Sequence, residues 1–454
     1  MPYLTLNPAT GRIEKAFDSW DAKKLNEALI AAQRAQIGWR ETDFSKRAKL
    51  MLRAAALLRE RAAEYAAIMT LEMGKVATEA RAEIEKCAIG CDFYAGHAER
   101  FLADELVETD AGRSYVCYQP LGTVLAIMPW NFPFWQVFRF AAPALMAGNA
   151  GILKHAPNVP QCALAIETIF RDAGFPEHLF TAALVETDAV PDAIAGPYVN
   201  AVTLTGSEGA GREVAGHAGR HLKKCVLELG GSDPFIVLAD ADLEFAARQA
   251  IKSRYMNCGQ SCIAAKRFIL APGIADDFLD LLKTRAAALK IGDPAQESTQ
   301  LGPMARRDLR DNLHGQIQDS IKEGALAALG CAPVAGDGFY YLPSILDRVT
   351  PKTRAWREEF FGPVALIIRA QDEADAIRIA NDTRFGLGAS VWSTDAKRAE
   401  KLGREIASGS TFVNGLVKSD PRLPFGGVKA SGFGRELSYH GIREFTNIKT
   451  VWIK

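Results

Sequence analysis

The spacing of apolar residues changes near Arg113, and the change divides the chain into two kinds of pattern. Before it, apolar residues recur at helical spacing, first from Leu25 to Ala32, which predicts a series of packing helices. Asp21 is placed to cap the first helix and Ser45 to cap the second. A third helix is predicted from roughly Val76 to Ala103. The turn-forming sequence at 7–11 precedes them all.

After Arg113, short apolar runs alternate with helical patterns. Ser114–Tyr118 alternates as a half-buried strand does, and Gly122–Met128 is a continuous apolar run typical of a buried parallel strand. The β-α-β alternation that follows predicts an α/β protein with a doubly wound parallel sheet. Ligands of such sheets bind beyond the carboxyl ends of the strands. We therefore expect binding residues at Pro129–Asn131, Lys154–Pro157 and Thr205–Ser207.

A second α/β region is predicted to begin at Phe235–Leu238 and to return at Val364–Ile368. The C-terminal part is glycine-rich and ends in the strand-like run Lys449–Ile453. A terminal strand offers unpaired backbone groups. The strand that contains Trp452 is therefore expected to pair with a strand outside its own domain, and a strand of another subunit is one candidate.

Composition and charge exclude several function classes. With 454 residues, of which 48% are hydrophobic, the chain is expected to hold two or three domains. Its 54 basic and 54 acidic residues cancel, which argues against binding to nucleic acid or to a membrane surface. No apolar run approaches the ~20 residues that cross a bilayer, and the N-terminal stretch lacks the features of a leader. The expectation is a soluble cytoplasmic protein.

The eight cysteines are few for this length and lie mostly in apolar surroundings, which favours buried, reduced thiols. No Cys-x-x-Cys pair occurs and the seven histidines are scattered, so no metal site is predicted. Cys258 and Cys262 are four residues apart, and a reversible link between them is an open alternative.

Two residue types with catalytic potential stand where the pattern breaks. Cys262 follows Gly259, Gln260 and Ser261 and precedes an Ile-Ala-Ala run, and the small residues among these neighbours leave its thiol approachable. Glu228 ends an apolar strand just before two glycines. A thiol and a strand-end carboxylate are able to act as nucleophile and base of one site, although sequence spacing does not show that they meet.

A glycine-punctuated turn at Thr205–Gly211, containing Gly206 and Ser207, leads into a predicted helix. Helix N-termini favour phosphate through their free N–H groups, so this turn is a candidate phosphate site, with a plain loop as the alternative. Lys154 at a strand end is a candidate for binding a ribose hydroxyl or a phosphate; the alternative is a solvated lysine.

Seven spaced motifs together resemble the aldehyde dehydrogenase superfamily, in that family's order. They are Pro129–Pro133, Gly148-Asn149 with Lys154, Thr205–Ser207, Glu228–Gly231, Gly259–Cys262, Glu359–Pro363 and Pro424–Gly427. Lys154–Asn158 and Leu229–Pro234 look most like the short bacterial NAD(P)-dependent succinate semialdehyde dehydrogenases.

The resemblance implies a fold and an assembly. It implies a Rossmann-like cofactor-binding domain formed by residues 1–101 and 121–230, and an α/β catalytic domain formed by residues 231–428. Residues 102–120 and 429–454 would form a small β extension for oligomerisation. A homodimer or homotetramer is expected.

The resemblance also implies catalytic roles. Cys262 matches the nucleophile that attacks the aldehyde carbon, and Asn131 matches the amide donor of the oxyanion hole. Glu228 matches the general base that activates water to hydrolyse the resulting thioester.

For the cofactor, the resemblance places Lys154 on the adenosine ribose, Gly206 and Ser207 at the pyrophosphate, and Glu359 on the nicotinamide ribose. Trp130 and Phe361 would form the walls of the pocket. One position departs from the family: Pro157 stands where NAD-preferring members often carry a glutamate. The departure removes a carboxylate that repels a 2′-phosphate, so either NAD or NADP is expected.

The resemblance places Arg139 in the substrate tunnel, where it would bind a carboxylate, and this favours succinate semialdehyde. The alternative is a surface position on the helix. A second arginine of such enzymes is here Met256, with Arg254, Arg422 or Ser419 as possible substitutes. Two other substrates therefore stay open, another semialdehyde such as glutarate semialdehyde and an uncharged aldehyde. An activity of a different class also stays open, that of a cysteine hydrolase without cofactor.

Overall fold

The computed structural model describes residues 3–454. Met1 and Pro2, the first residues of the N-terminal stretch in which no leader is predicted, lie outside the described residues. Strands and helices alternate through most of it. The strands are β1 Tyr3–Asn7, β2 Arg12–Phe17, β3 Glu105–Leu106, β4 Arg113–Pro120, β5 Thr123–Met128, β6 Ala150–His155, β7 Phe180–Ala182, β8 Ala201–Thr205, β9 Lys224–Glu228, β10 Asp233–Val237, β11 Ala265–Leu270, β12 Leu326–Leu329, β13 Ser344–Asp347, β14 Val364–Arg369, β15 Gly388–Trp392, β16 Ser410–Val413, β17 Gly432–Phe433 and β18 Thr446–Ile453.

The helices pack against the sheets and against one another. They are α1 Ala22–Trp39, α2 Phe44–Glu60, α3 Ala62–Met73, α4 Ala77–Phe101, α5 Trp135–Met146, α6 Pro160–Asp172, α7 Val190–Ala195, α8 Glu208–Arg220, α9 Leu243–Tyr255, α10 Ala275–Ala287, α11 Arg307–Lys322, α12 Arg354–Arg357, α13 Glu373–Asn381, α14 Ala396–Arg404 and α15 Ser438–Glu444.

The N-terminal helices confirm the predicted pattern in part. Asp21 caps α1, since its carboxylate accepts a hydrogen bond from the Lys24 N–H at 2.7 Å. The assignment of Ser45 as the second cap is wrong. Asp43 has the extended backbone of a cap, and its carboxylate accepts from the Lys46 N–H at 2.7 Å, while Ser45 lies in the first turn. The pattern also missed α3, because only a kink at Arg61 separates it from α2.

The predicted doubly wound sheet is present. It has six strands in the order β17-β9-β8-β5-β6-β7, and all neighbours are parallel except β17, which pairs antiparallel to β9. The carboxyl ends of β5, β6, β8 and β9 lie along one edge. The edge therefore brings together the segments after Met128, His155, Thr205 and Glu228.

The second sheet has seven strands in the order β12-β13-β14-β11-β10-β15-β16 and is parallel apart from β12. Each of the two large sheets is the centre of its own hydrophobic core. Cys262 lies in the loop between α9 and β11, and β11 belongs to the second sheet. This loop places the candidate nucleophile next to the carboxyl edge of the first sheet.

The C-terminal strand pairs within the chain. In a three-stranded antiparallel sheet, β18 runs along β4 from Thr446 opposite Pro120 to Ile453 opposite Arg113, and β3 flanks β4. The pairing leaves Ile448 and Trp452 exposed. Among the helices of residues 3–454, none combines the length and apolar character needed to cross a membrane.

Candidate active site

Cys262 stands between two cavities. The first, of about 300 Å³, lies between α4, α5 and the loop of residues 416–419; we call it the substrate cavity. The second, of about 250 Å³, lies at the carboxyl edge of the six-stranded sheet; we call it the cofactor cavity. Cys262 and Gln136 line both. A reacting group at Cys262 is thus accessible from two sides.

A tight turn before Cys262 sets the position of its loop. Asn257 and Cys258 have φ values of 53° and 54°, and Gly259 follows with φ 69°. A Cβ at Gly259 would overlap the Gly362 carbonyl, so the position requires glycine. The buried Arg254 guanidinium donates to the carbonyls of Gly259 and Ala265. Arg254 therefore fixes this loop, and its predicted role as a substrate arginine is wrong.

The backbone and thiol of Cys262 are held in a buried setting. Lys266 Nζ donates to the Cys262 carbonyl at 2.8 Å and to the Ser261 carbonyl at 3.0 Å, and it lies 3.1 Å from a Glu359 carboxylate oxygen. Burial raises the pKa of the Cys262 thiol to about 11, although the charges of Arg139 and Lys266 oppose the shift. This setting favours the protonated thiol at neutral pH, and a further positive charge nearby would favour the thiolate.

Asn131 is anchored on both its backbone and its side chain. Its carbonyl accepts from Lys75 Nζ at 2.9 Å and from Asn257 Nδ2 at 2.7 Å. Its own Nδ2 donates to the Gln260 carbonyl at 3.1 Å, which uses one of the two amide hydrogens. The second hydrogen has no acceptor among residues 3–454, and Asn131 lines the cofactor cavity with Cys262. The side chain is available to a developing oxyanion.

Beneath Asn131 lies a buried ion pair that the sequence patterns did not reveal. Lys75 and Glu83 form it, and their side chains are 0% and 2% exposed. The other Glu83 oxygen accepts the backbone N–H groups of Phe134 and Trp135, each at 2.9 Å. The pair thus joins Asn131 to the first turn of α5.

Glu228 ends β9 and is 2% exposed. Neither carboxylate oxygen has a hydrogen-bond partner among the described residues. Burial raises the pKa of Glu228 well above its usual range, and the neighbouring Glu436 raises it further, while Arg139 opposes them. A Cβ at Gly426 would lie 2.7 Å from a Glu228 oxygen, so glycine leaves room for this carboxyl group. This setting favours the neutral carboxyl group, whereas a base must be a carboxylate.

Arg139 lies inside the molecule, and the alternative that it is a surface residue is wrong. It is 2% exposed, forms an ion pair with Glu436 and lines the substrate cavity. Its Nη2 donates to Thr205 Oγ1 at 3.4 Å, and its guanidinium carbon lies 4.5 Å from the centre of the Phe425 ring. Glu436 was not found from the sequence, because it stands outside the motifs that carry the resemblance.

The cofactor cavity brings most of the predicted cofactor residues together: Trp130, Gly206, Ser207, Glu359 and Phe361. Ser207 Oγ caps α8 by accepting the Ala210 N–H at 3.3 Å, so the helix N-terminus opens here. The rings of Trp130 and Phe361 are perpendicular with centroids 5.9 Å apart. A Cβ at Gly230 would collide with the Glu359 carboxylate, so this glycine admits the acid to the cavity.

Lys154 and Pro157 lie further along the same sheet edge, outside the lining of the cofactor cavity. Lys154 is 7% exposed, with Nζ 3.4 Å from the His155 carbonyl, so the alternative of a solvated lysine is wrong. Burial lowers its pKa. Pro157 lines a separate cleft of about 540 Å³ together with Leu4 and Arg306.

Of the two remaining candidates for the second substrate residue, Ser419 lines the substrate cavity and Arg422 does not. Ser419 is 6% exposed and lines the substrate cavity, as Met256 does. Its Oγ accepts hydrogen bonds from Lys86 Nζ at 2.7 Å and from Trp135 Nε1 at 2.9 Å. Arg422 is exposed and paired with Asp420 at 2.7 Å, outside the lining of the cavity, so its candidacy as a second arginine is wrong.

Comparison with known proteins relates the chain to a family. The sequence profile described as the Aldehyde dehydrogenase family matches residues 2–451. The chain belongs to the aldehyde dehydrogenase family. The predicted resemblance to aldehyde dehydrogenases is thereby confirmed, and so are the predicted fold class and the prediction of a dehydrogenase. The alternative of a cysteine hydrolase without cofactor is set aside.

Relatives within the aldehyde dehydrogenase family match the chain over its whole length. A probable NADP+ succinate-semialdehyde dehydrogenase of Synechocystis sp. is 51% identical, with full coverage of both chains. A succinate semialdehyde dehydrogenase of Escherichia coli K12 named for NAD(P)+ is 48% identical over 99% of this chain and 97% of its own. The crystal structure of the Streptococcus pyogenes succinic semialdehyde dehydrogenase with NADP+ superposes with a TM-score of 0.98, at 37% identity and 99% coverage of each chain.

Proposed function

We propose that this aldehyde dehydrogenase oxidises succinate semialdehyde to succinate. The observation that carries the proposal is the charge of the substrate cavity beside Cys262. Four basic side chains line it against two acidic ones: Lys86, Arg139, Lys252 and Lys418 against Glu79 and Glu83. One of the acids is already paired with Lys75. An aldehyde with a negatively charged far end fits this lining better than an uncharged aldehyde does.

The relatives favour the same substrate. Proteins about half identical to this chain over its full length carry the name succinate-semialdehyde dehydrogenase. Glutarate semialdehyde is the second candidate, because the cavity of about 300 Å³ does not by itself select chain length. An uncharged aldehyde is the third.

The chain's own residues supply the steps of acyl transfer. The Cys262 thiolate attacks the aldehyde carbon, and the Asn131 amide with the Cys262 backbone N–H stabilises the oxyanion of the thiohemiacetal. Conversion of the thiohemiacetal to a thioester on Cys262 requires its carbon to lose a hydride, and a nicotinamide ring bound in the cofactor cavity would supply the acceptor. An oxyanion donor of this kind typically contributes ~10²–10³ in rate.

Glu228 completes the reaction as the general base. Once deprotonated, its carboxylate takes a proton from water, and the water oxygen attacks the thioester carbon. The Cys262 thiolate leaves as succinate forms. Since burial and Glu436 favour the protonated form of Glu228, hydrolysis is expected to be the step that is sensitive to acid.

The residues present fit a nicotinamide dinucleotide. Ser207 and the N-terminus of α8 would hold the pyrophosphate, Glu359 the nicotinamide ribose, and Lys154 the adenosine ribose. We infer a preference for NADP over NAD, supported by Pro157 in place of an acid and by the NADP+ named for the relatives.

The organisation of the chain belongs to the same proposal. Residues 1–101 and 121–230, which contain the six-stranded sheet except β17, would bind the cofactor, and residues 231–428 would form the catalytic domain. Exposed Ile448 and Trp452 on β18 support association through 102–120 and 429–454 into a homodimer or homotetramer. A cytoplasmic location is proposed.

A steady-state comparison tests the function. Purified enzyme is assayed for kcat/KM with succinate semialdehyde, glutarate semialdehyde and butanal, each with NADP+ and with NAD+. We expect the highest value for succinate semialdehyde with NADP+. Equal values for butanal and succinate semialdehyde would contradict the substrate assignment, and a higher value with NAD+ would contradict the cofactor assignment alone.

A further inference from the structure

Lys86 is a lysine on α4 whose charge has no carboxylate partner. Its Nζ donates to Ser419 Oγ at 2.7 Å and lies 4.4 Å from the centre of the Trp135 ring. No acidic side chain within residues 3–454 forms an ion pair with it. Nearby Glu83 is paired with Lys75 instead. The half-buried ammonium group of Lys86 is therefore left without an opposite charge at the wall of the substrate cavity.

Ser419 supplies a second free group at the same point. Its Oγ accepts from both Lys86 Nζ and Trp135 Nε1, and these two bonds use its two lone pairs. The structure gives its own hydroxyl hydrogen no acceptor among the described residues. A carboxylate placed here would accept from the Ser419 hydroxyl and from a free N–H of Lys86 together.

Arg139 differs from Lys86 in this respect. Its positive charge is already compensated by Glu436, and its guanidinium also contacts Thr205 and the Phe425 ring. Lys252 and Lys418 line the same cavity but are exposed to solvent, where an ion pair contributes little. Lys86 is the one of these four basic side chains that is both partly desolvated and unpaired.

We propose that Lys86, together with Ser419, binds the distal carboxylate of the semialdehyde substrate. The proposal rests on the proposed function and names a specificity residue for it. Trp135 positions the pair, since its indole N–H bonds Ser419 while its ring packs against the Lys86 ammonium group. Arg139 would then act on the charge balance of Glu436 and Glu228 rather than on the substrate.

Substitutions at Lys86 test the assignment through a ratio of two substrates. Lys86→Met removes the charge and keeps most of the side-chain length. It should lower kcat/KM for succinate semialdehyde by roughly 10- to 100-fold, mainly through KM, because a charge-assisted hydrogen bond is lost. Butanal has no carboxylate, so its kcat/KM should change little. Lys86→Arg should restore part of the loss. Lys223→Met, at the residue that precedes β9, is the matched control and should leave the ratio unchanged.

The outcomes separate this proposal from the proposed function. A wild-type enzyme that does not prefer succinate semialdehyde over butanal would overturn both. A wild-type preference that Lys86→Met leaves intact would overturn the role of Lys86 alone. Arg139→Met should lower the rates for both substrates together; if it removes the preference while Lys86→Met does not, the carboxylate is bound by Arg139.

The pH dependence gives a second readout. Burial, and then the charge of Arg139, lower the pKa of Lys86 to about 8. The other titratable groups close to it or in its cavity are Lys75, Glu79, Glu83, Cys87, Lys252, Cys262 and Lys418. Since the ammonium form exists below this pKa, the preference for succinate semialdehyde over butanal should fall as pH rises through about 8. Lys86→Arg stays charged, so its preference should not fall; a parallel fall in this variant would contradict the assignment.

Discussion

Arg139 forms a buried ion pair with Glu436, and this pair lies beside the candidate base Glu228. Glu436 raises the pKa of Glu228, whereas Arg139 lowers it. The two partners therefore adjust the base in opposite directions, and the balance between them decides at which pH Glu228 loses its proton. The pair joins the loop after β17 to α5 across the site.

Replacement of Glu436 by glutamine should shift the acid limb of the kcat–pH profile toward lower pH. A negative neighbour is removed and Arg139 becomes unpaired, so the pKa of Glu228 falls. The base form exists above its pKa, and a lower pKa extends activity into more acidic solution. Steady-state kcat measured across the acidic to neutral range checks this. Glu177→Gln, an exposed acid, is the control. An unchanged acid limb in Glu436→Gln would show that Glu228 does not limit hydrolysis.

The thiol of Cys262 should be slow to alkylate without cofactor. Burial raises its pKa to about 11, and only the thiolate reacts. The rate of inactivation by iodoacetamide should then rise about tenfold per pH unit through neutral pH without levelling off. Mass analysis of the peptide that contains Cys262 identifies the modified residue. Cys258→Ala should behave as the wild type, since Cys258 is buried behind the turn. A plateau near neutral pH would mean that the free enzyme already holds a thiolate.

The buried pair below Asn131 should matter for stability. Lys75→Met leaves Glu83 buried without its partner, which is expected to lower the free energy of unfolding by about 3–5 kcal/mol. Urea denaturation measures the loss. The double variant Lys75→Met/Glu83→Gln removes the uncompensated charge and should recover part of it. Equal stability of the wild type and Lys75→Met would show that Glu83 finds another partner.

The sequence predicted the parts of the site that lie in local motifs at strand ends. Asn131 follows strand β5 and Glu228 is the last residue of β9. Parallel strands end at a common edge, so their proximity follows from the alternation of elements. Cys262 was recognised from its small neighbours and its motif. The family resemblance offered Ser419 as one of three possible substitutes for a second substrate arginine, and Ser419 lies in the wall of the substrate cavity.

The charged residues around these motifs could not be predicted. Glu436, Lys75 and Lys86 act through partners distant along the chain, such as Arg139, Asn131 and Ser419, which no local spacing encodes. Lys86 lies on the amphipathic helix α4. The spacing of polar residues along such a helix is the same whether a lysine points into a cavity or into solvent, so the sequence does not distinguish the two. The prediction that Ser45 caps α2 was wrong for a local reason, because Asp43, two residues earlier, is also a good capping residue and occupies the cap position.

The most direct test of the account is to trap the thioester on Cys262. In Glu228→Gln the base is lost, while attack by Cys262 and the oxidation that follows do not require it. Mixed rapidly with succinate semialdehyde and NADP+, this variant should give one burst of reduced cofactor, about one equivalent per site, and then nearly stop. Mass analysis should find a succinyl group on the peptide that contains Cys262, and Cys262→Ala should give neither burst nor adduct. Full turnover by Glu228→Gln, or an acyl group on Cys258 instead, would contradict the account.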